Sequence, residues 1–173
     1  MKTWIALIRG INVGGRNKVS MKELTALMES NGFSNVRTYI QSGNVVFDKS
    51  IQSGDEISDL IEKGFGFHPA VFILSAEDLK MAAKNNPYDP DQGKAVHFYF
   101  CDKVPDKVDY ELLETLRTGS EDFKLVDNVF YLHAPDGIGR SKLAEKMDRA
   151  FKGVTMTARN LNTINKLLDM VGD

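Results

Sequence analysis

Apolar positions along the chain fall into two rhythms, short β-rich runs and stripes at helical spacing. Trp4–Ile8 is a short apolar run suited to a buried strand. Ser20 and Glu23 form a capping box, and Leu24, Leu27 and Met28 give the following helix one apolar face. Gly32 is a natural stop, because glycine tolerates positive φ. Val36–Ile40 reads as a strand, Gln41–Asn44 as a turn and Val45–Phe47 as the return strand of a hairpin. Ile57, Leu60 and Ile61 mark a second helix, and Val71–Leu74 a fourth strand. Ser75 and Asp78 then cap a connecting helix that runs to about Lys84. Asn85–Pro90 is a loop by composition.

After that loop the pattern restarts. Val96–Phe100 reads as a strand, and Leu112, Leu113 and Leu116 mark a helix. Phe123–Val126 and Val129–Leu132 flank Asp127-Asn128, a good hairpin turn. Leu143, Met147 and Phe151 mark the next helix. Val154–Met156 reads as a brief strand, and Ile164, Leu167 and Leu168 mark a last helix. The first half has the order β-α-β-β-α-β, the ferredoxin-like motif, and the second half nearly repeats it. The expected class is therefore α+β, with two ferredoxin-like pseudo-repeats packed together and an extra C-terminal helix. The expected boundaries are 1–75 for the first subdomain, 76–93 for the connecting helix and loop, and 94–173 for the second.

Composition changes this picture little. The chain has 173 residues, 42% hydrophobic and 27% charged, a normal globular balance. A net charge of -2 argues against a wholesale polyanion binder but not against a local basic patch. Cys101 is the single cysteine, so no internal disulfide can form and nothing points to secretion. No apolar run of about 18 residues marks a membrane helix, and the first apolar run, broken by Arg9, is too short for a signal sequence. The expectation is a cytoplasmic protein without a membrane partner.

Candidate chemistry sits in three polar loops. The first runs from Arg9 to Lys18, with Arg9, Asn12, Gly14, Gly15, Arg16, Asn17 and Lys18. It has three cations and no acid, and it leads into a helix N-terminus, where free N–H groups and the macrodipole favour an anion. In a ferredoxin-like sheet the first two strands are parallel and end at one edge. This loop should then lie beside the turn that carries Gln41, Ser42 and Asn44. The second loop is Pro135–Leu143, with Asp136, Arg140, Ser141 and Lys142. The third is Thr157–Thr163, with Thr157 as expected N-cap followed by Arg159 and Asn160. Ser, Thr and Asn also belong at helix starts for local reasons, so a purely structural role stands beside the functional one.

Familiar catalytic patterns fail. Gly10–Gly15 has P-loop glycine spacing, but Arg16-Asn17 stands where Lys-Ser/Thr is needed. The dinucleotide spacing is absent as well. No His, Cys and acid spacing suits a metal. The first and third strands lack the aromatics with which an RNA-recognition module stacks bases. His97 and His68 read as structural, and Cys101 as a buried thiol. Asp136 and His133 are the candidates for proton transfer.

The stretches Ile5–Gly15, Arg37–Phe47, Pro135–Leu143 and Thr157–Asn160 with Asn162-Thr163 together resemble the bacterial family known as domain of unknown function 1697. The resemblance runs nearly end to end. Leu161 departs from it, standing where the family pattern has tryptophan. The resemblance implies a soluble bacterial protein and carries over no activity, substrate or catalytic residue. Three functions remain open: binding of an anionic, phosphate-bearing small molecule, binding of nucleic acid through the same cations, and an interaction or scaffold role with no small-molecule site. No cofactor, reaction or oligomeric state is specified.

Overall fold

The computed structural model describes residues 2–51 and 53–172; Met1, Gln52 and Asp173 lie outside it. Among the described residues are two four-stranded antiparallel sheets and six α-helices. The first half contains β1 (Lys2–Ile8), α1 (Met21–Ser30), β2 (Ser34–Tyr39), β3 (Asn44–Lys49), α2 (Asp55–Phe65) and β4 (Val71–Ser75). Helix α3 (Ala76–Lys84) leads to β5 (Val96–Cys101), α4 (Tyr110–Leu116), β6 (Asp122–Val126), β7 (Val129–His133), α5 (Lys142–Lys146), β8 (Met156–Asn160) and α6 (Leu161–Val171).

The sheets have the same relative order, β2-β3-β1-β4 and β6-β7-β5-β8. The first strand of each is thus flanked on both sides. Successive strand residues face opposite sides of the sheet, and Ile5–Ile8 are all fully buried, as is nearly all of β5, so side chains on both faces are buried there. Ala6, Ile8, Val45 and Phe47 pack with Leu24 and Met28 of α1 and Ile57 and Ile61 of α2. In the second sheet Tyr99, Phe130 and Leu132 pack with Leu113, Leu143 and Met147. The chain forms two compact units. One holds the residues up to Met81 together with those from Asn165 onward, the other Ala82–Ile164. The end of α6 therefore goes with the first half, where the Arg37 guanidinium donates to the Met170 carbonyl at 2.6 Å.

Local signals explain most boundaries. The Ser20 hydroxyl accepts from the Glu23 amide at 3.2 Å, and Ser75 and Asp78 cap each other reciprocally at 3.0 and 3.1 Å. Two expectations fail. The helix expected through Leu143, Met147 and Phe151 ends as α5 at Lys146, and the chain tightens into a 3₁₀ turn at Met147–Ala150. Phe151 there forms an isolated bridge with Val108, so its burial comes from a bridge and not from helix periodicity. The last strand is Met156–Asn160 instead of Val154–Met156. Thr157 and Arg159 alternate with half-buried neighbours in period two. Their burial is tolerated because the Arg159 guanidinium donates to the Thr157 hydroxyl and to a backbone carbonyl.

His97, only 7% exposed, lies on β5 opposite Leu132 and Asn160, and its Nε2 has no hydrogen-bond partner. Burial holds its pKa below the usual histidine value, opposed by a hydrogen bond with the Lys94 backbone. The unfolded chain binds this proton more readily. The neutral ring's contribution to stability is complete above about pH 6.5 and falls as pH drops through the lowered folded value. Urea denaturation at pH 7.5 and pH 5 should show a lower midpoint in acid. His97→Leu should make that dependence shallower.

Candidate functional site

Strand register brings the first loop and the first turn together. Leu7 at the end of β1 and Tyr39 at the end of β2 both pair with Asn44 of β3. The loop after β1 and the turn after β2 therefore leave from one edge of the sheet. The Ile8 amide donates to the Gly43 carbonyl at 2.8 Å, and the Arg9 amide to the Ala70 carbonyl at 2.9 Å.

The loop is a small hairpin of its own. Its feet, Ile11 and Val19, are buried in the apolar core, and its tip is exposed. Val13 and Arg16 bridge, and the Arg16 amide donates to the Val13 carbonyl at 2.9 Å. Between them Gly14 and Gly15 both have positive φ, 58° and 75°. This is the two-residue turn that favours glycine, because a Cβ is disfavoured at both central positions. Asn12 (φ 55°) and Asn17 (φ 51°) flank the turn, and the Asn12 amide donates to the Asn17 carbonyl at 3.1 Å.

The side chain of Asn12 joins three segments. Its Nδ2 donates to Val19 O at 3.0 Å and to Gln41 O at 2.7 Å, and its Oδ1 accepts from the Val19 amide at 2.8 Å. Both N–H groups are thus engaged, so Asn12 positions the loop. Asn17 Nδ2 bonds Gly10 O at 3.3 Å. Fully buried Asn44 donates to Tyr39 O and Ser42 Oγ at 3.2 and 2.9 Å. The cations differ. Arg16 and Lys18 are exposed and form no ion pair with another described residue. A pocket of about 400 Å³ opens here, lined by Asn12, Gly15, Lys18, Val19, Ser20 and Gln41. It lies at the N-terminus of α1.

The sequence does not mark Ile40. It has φ 49°, a conformation that costs a β-branched residue roughly 1–3 kcal/mol, and half of it is exposed. Val19 and Ser20 have the pattern of a helix entry alone, although both line the pocket. Their position directly after Lys18 is the available signal.

The other two loops belong to the second unit. Asp136 accepts from the Ser120 hydroxyl at 2.6 Å. A 3₁₀ turn spans Ile138–Arg140, and Ser141 caps α5 by accepting from Ala144 at 3.0 Å. Arg140 and Lys142 are exposed. His133 stacks on Tyr88 and bonds Gln92 at 2.7 Å. Thr157 is not an N-cap and Arg159 is not at a helix start, because both lie within β8. Arg159 is 8% exposed, and one Nη donates to Thr157 Oγ1 and Ala158 O at 2.8 and 2.7 Å. Burial pushes its pKa down to about 10, so it stays charged at neutral pH. Asn160 Oδ1 accepts from Thr163 at the start of α6, 3.0 Å away. Val96 pairs with His133 and His97 with Asn160. The second and third loops therefore leave together from the edge where the central strand of their sheet begins.

Cys101 is buried, and burial with Asp102 nearby raises its thiol pKa to about 12. It is no nucleophile at neutral pH. Among the described residues no cluster of three His, Cys, Asp or Glu side chains is placed to hold a metal. Nor, among them, is any helix long and apolar enough to cross a membrane.

The family model described as a protein of unknown function, DUF1697, matches residues 1–131. The chain belongs to this family. The matched stretch contains the Arg9–Lys18 loop and the Gln41–Asn44 turn, and ends before Asp136. The DUF1697 chain is also similar in structure to the conserved bacterial protein SP0830 from Streptococcus pneumoniae. The two share 25% identity at a TM-score of 0.67, over 98% of each chain. No curated protein matches significantly.

Two substitutions test this geometry by chemical denaturation. Gly43 has φ 89°, and a Cβ there would lie 2.6 Å from the Ile8 carbonyl oxygen. Gly43→Ala should cost more than about 2 kcal/mol through strain and overpacking. Asn12→Ala removes three hydrogen bonds at a positive φ and should cost about 2–4 kcal/mol. Asn12→Gly relieves the φ and should cost less.

Proposed function

We propose that this DUF1697 protein binds an anionic, phosphate-bearing small molecule in the pocket between the Arg9–Lys18 loop and the Gln41–Asn44 turn. The observation that carries the reading is a pair of exposed cations, Arg16 and Lys18, without acidic partners among the described residues, on a loop pinned against the start of α1. Lys18 and the Gly15 backbone line the pocket itself. Peptide N–H groups at a helix start and nearby cations favour a compact anion there. The pocket volume is in the range of small-molecule sites. Asn12, Asn17 and Asn44 act as the frame, with Gln41 left to orient the ligand.

In this reading the protein is cytoplasmic. Each half is a ferredoxin-like unit and the pair are pseudo-repeats, which the shared strand order supports. Arg140, Lys142 and Arg159 belong to the second unit and are not needed for this pocket. Asp136 and His133 already have structural partners in Ser120 and in Gln92 with Tyr88, so the reading assigns no reaction.

A thermal-shift panel of inorganic phosphate, sugar phosphates, nucleotides, and short RNA and DNA tests it. A ligand at 100 times its Kd adds about 2.7 kcal/mol, a rise in Tm of roughly 5–10 °C for a chain of this size. The expected outcome is a small phosphate-bearing ligand whose shift disappears in the Arg16→Ala/Lys18→Ala variant. A folded protein that shifts with no small anion sinks the proposal. A shift with RNA or DNA alone that collapses steeply as salt rises supports nucleic-acid binding instead.

A further inference from the structure

Two exposed apolar residues lie on the loop and just before the turn that bound this pocket. Val13 is 63% exposed and Ile40 is 50% exposed. Each directly adjoins a pocket-lining residue, Val13 following Asn12 and Ile40 preceding Gln41. Those two lining residues are hydrogen-bonded to each other at 2.7 Å. Each apolar residue is thus next in sequence to one of the two residues that join the loop to the turn.

Ile40 is the more informative of the two. Isoleucine at φ 49° is strained by its branched Cβ, and asparagine or glycine would adopt this conformation readily. Half exposed, it gains only part of the burial that could offset the strain. The fold therefore gives little reason for an isoleucine here. A ligand contact does give a reason, because strained residues persist where surrounding structure and function hold them.

We propose that the pocket's ligand joins its anionic group to a flat or apolar one, with Arg16 and Lys18 holding the anion and Ile40 the apolar part. The site then discriminates against bare phosphate and simple sugar phosphates. A nucleoside monophosphate has the required chemistry: charge at one end and a planar ring at the other. The inference rests on the anion-binding reading and adds the second half of the ligand to it.

Two matched pairs of probes separate the claims in calorimetric titrations of the full chain: methyl phosphate against phenyl phosphate, and ribose 5-phosphate against AMP. The ring-bearing member of at least one pair should bind about tenfold or more tightly. Ile40→Asn should erase that preference while leaving the affinity of the ring-free member unchanged. It should also raise Tm, because asparagine tolerates the φ. Ile40→Val keeps both the strain and the apolar contact, and should keep the preference. Equal binding within both pairs, or a preference that survives Ile40→Asn, overturns the inference and leaves the anion site standing. Binding of none of the four probes overturns both.

Discussion

The structure depends on one constraint: the first strand of each sheet must be enclosed. β1 and β5 each pair on both edges, and Ile5–Ile8 and all of β5 are buried. A stretch buried on both faces is mostly apolar, with His97 the exception in β5, and the chain turns polar where it leaves the sheet. In the first unit that point is Arg9. Everything chemical in this half begins there. The enclosed strand fixes where the polar loop emerges, and the register through Asn44 fixes the turn that lies beside it.

The loop is then shaped by amide side chains more than by its charges. Asn12, Asn17 and Asn44 satisfy backbone groups that a sharply turning segment would otherwise leave without partners. Arg16 and Lys18 are thereby not needed to hold the loop's shape. The second unit distributes these tasks differently. Its buried arginine, Arg159, is held inside a strand, and the cations of its Pro135–Leu143 loop, Arg140 and Lys142, lie at the end of a 3₁₀ turn and just beyond it. Although the strand orders coincide, the polar loops leave the first sheet where its central strand ends and the second where its central strand begins. The resemblance between the halves is one of framework and does not extend to the sites.

Much of this is legible in the residues. The capping boxes at Ser20 and Ser75, the Asp127-Asn128 turn and the apolar runs at Trp4–Ile8 and Val96–Phe100 all correspond to real elements, because each has a local cause. The juxtaposition of the Arg9–Lys18 loop with Gln41–Asn44 is legible too, since strand order carries it. The failures have non-local causes. Thr157, Arg159 and Asn160 look like a helix entry, and only pairing with β5 makes them a strand. Phe151 matches a helical stripe, yet its burial comes from a bridge to Val108. The framing roles of the asparagines are hidden, because a side chain that bonds its own loop has the same composition as one that waits for a ligand. Ile40 cannot be found at all. Its positive φ is imposed by the turn, against its own preference.

Cys101 has a further consequence. Its sulfur lies at the end of β5, an inner strand of the second sheet, sealed by packing and held in the thiol form. A thiol reagent in solution meets nothing to react with while β5 stays paired. Modification then proceeds only as fast as that sheet opens. The chain carries its own clock for the breathing of one half, and the other half, which has no cysteine, is silent to it.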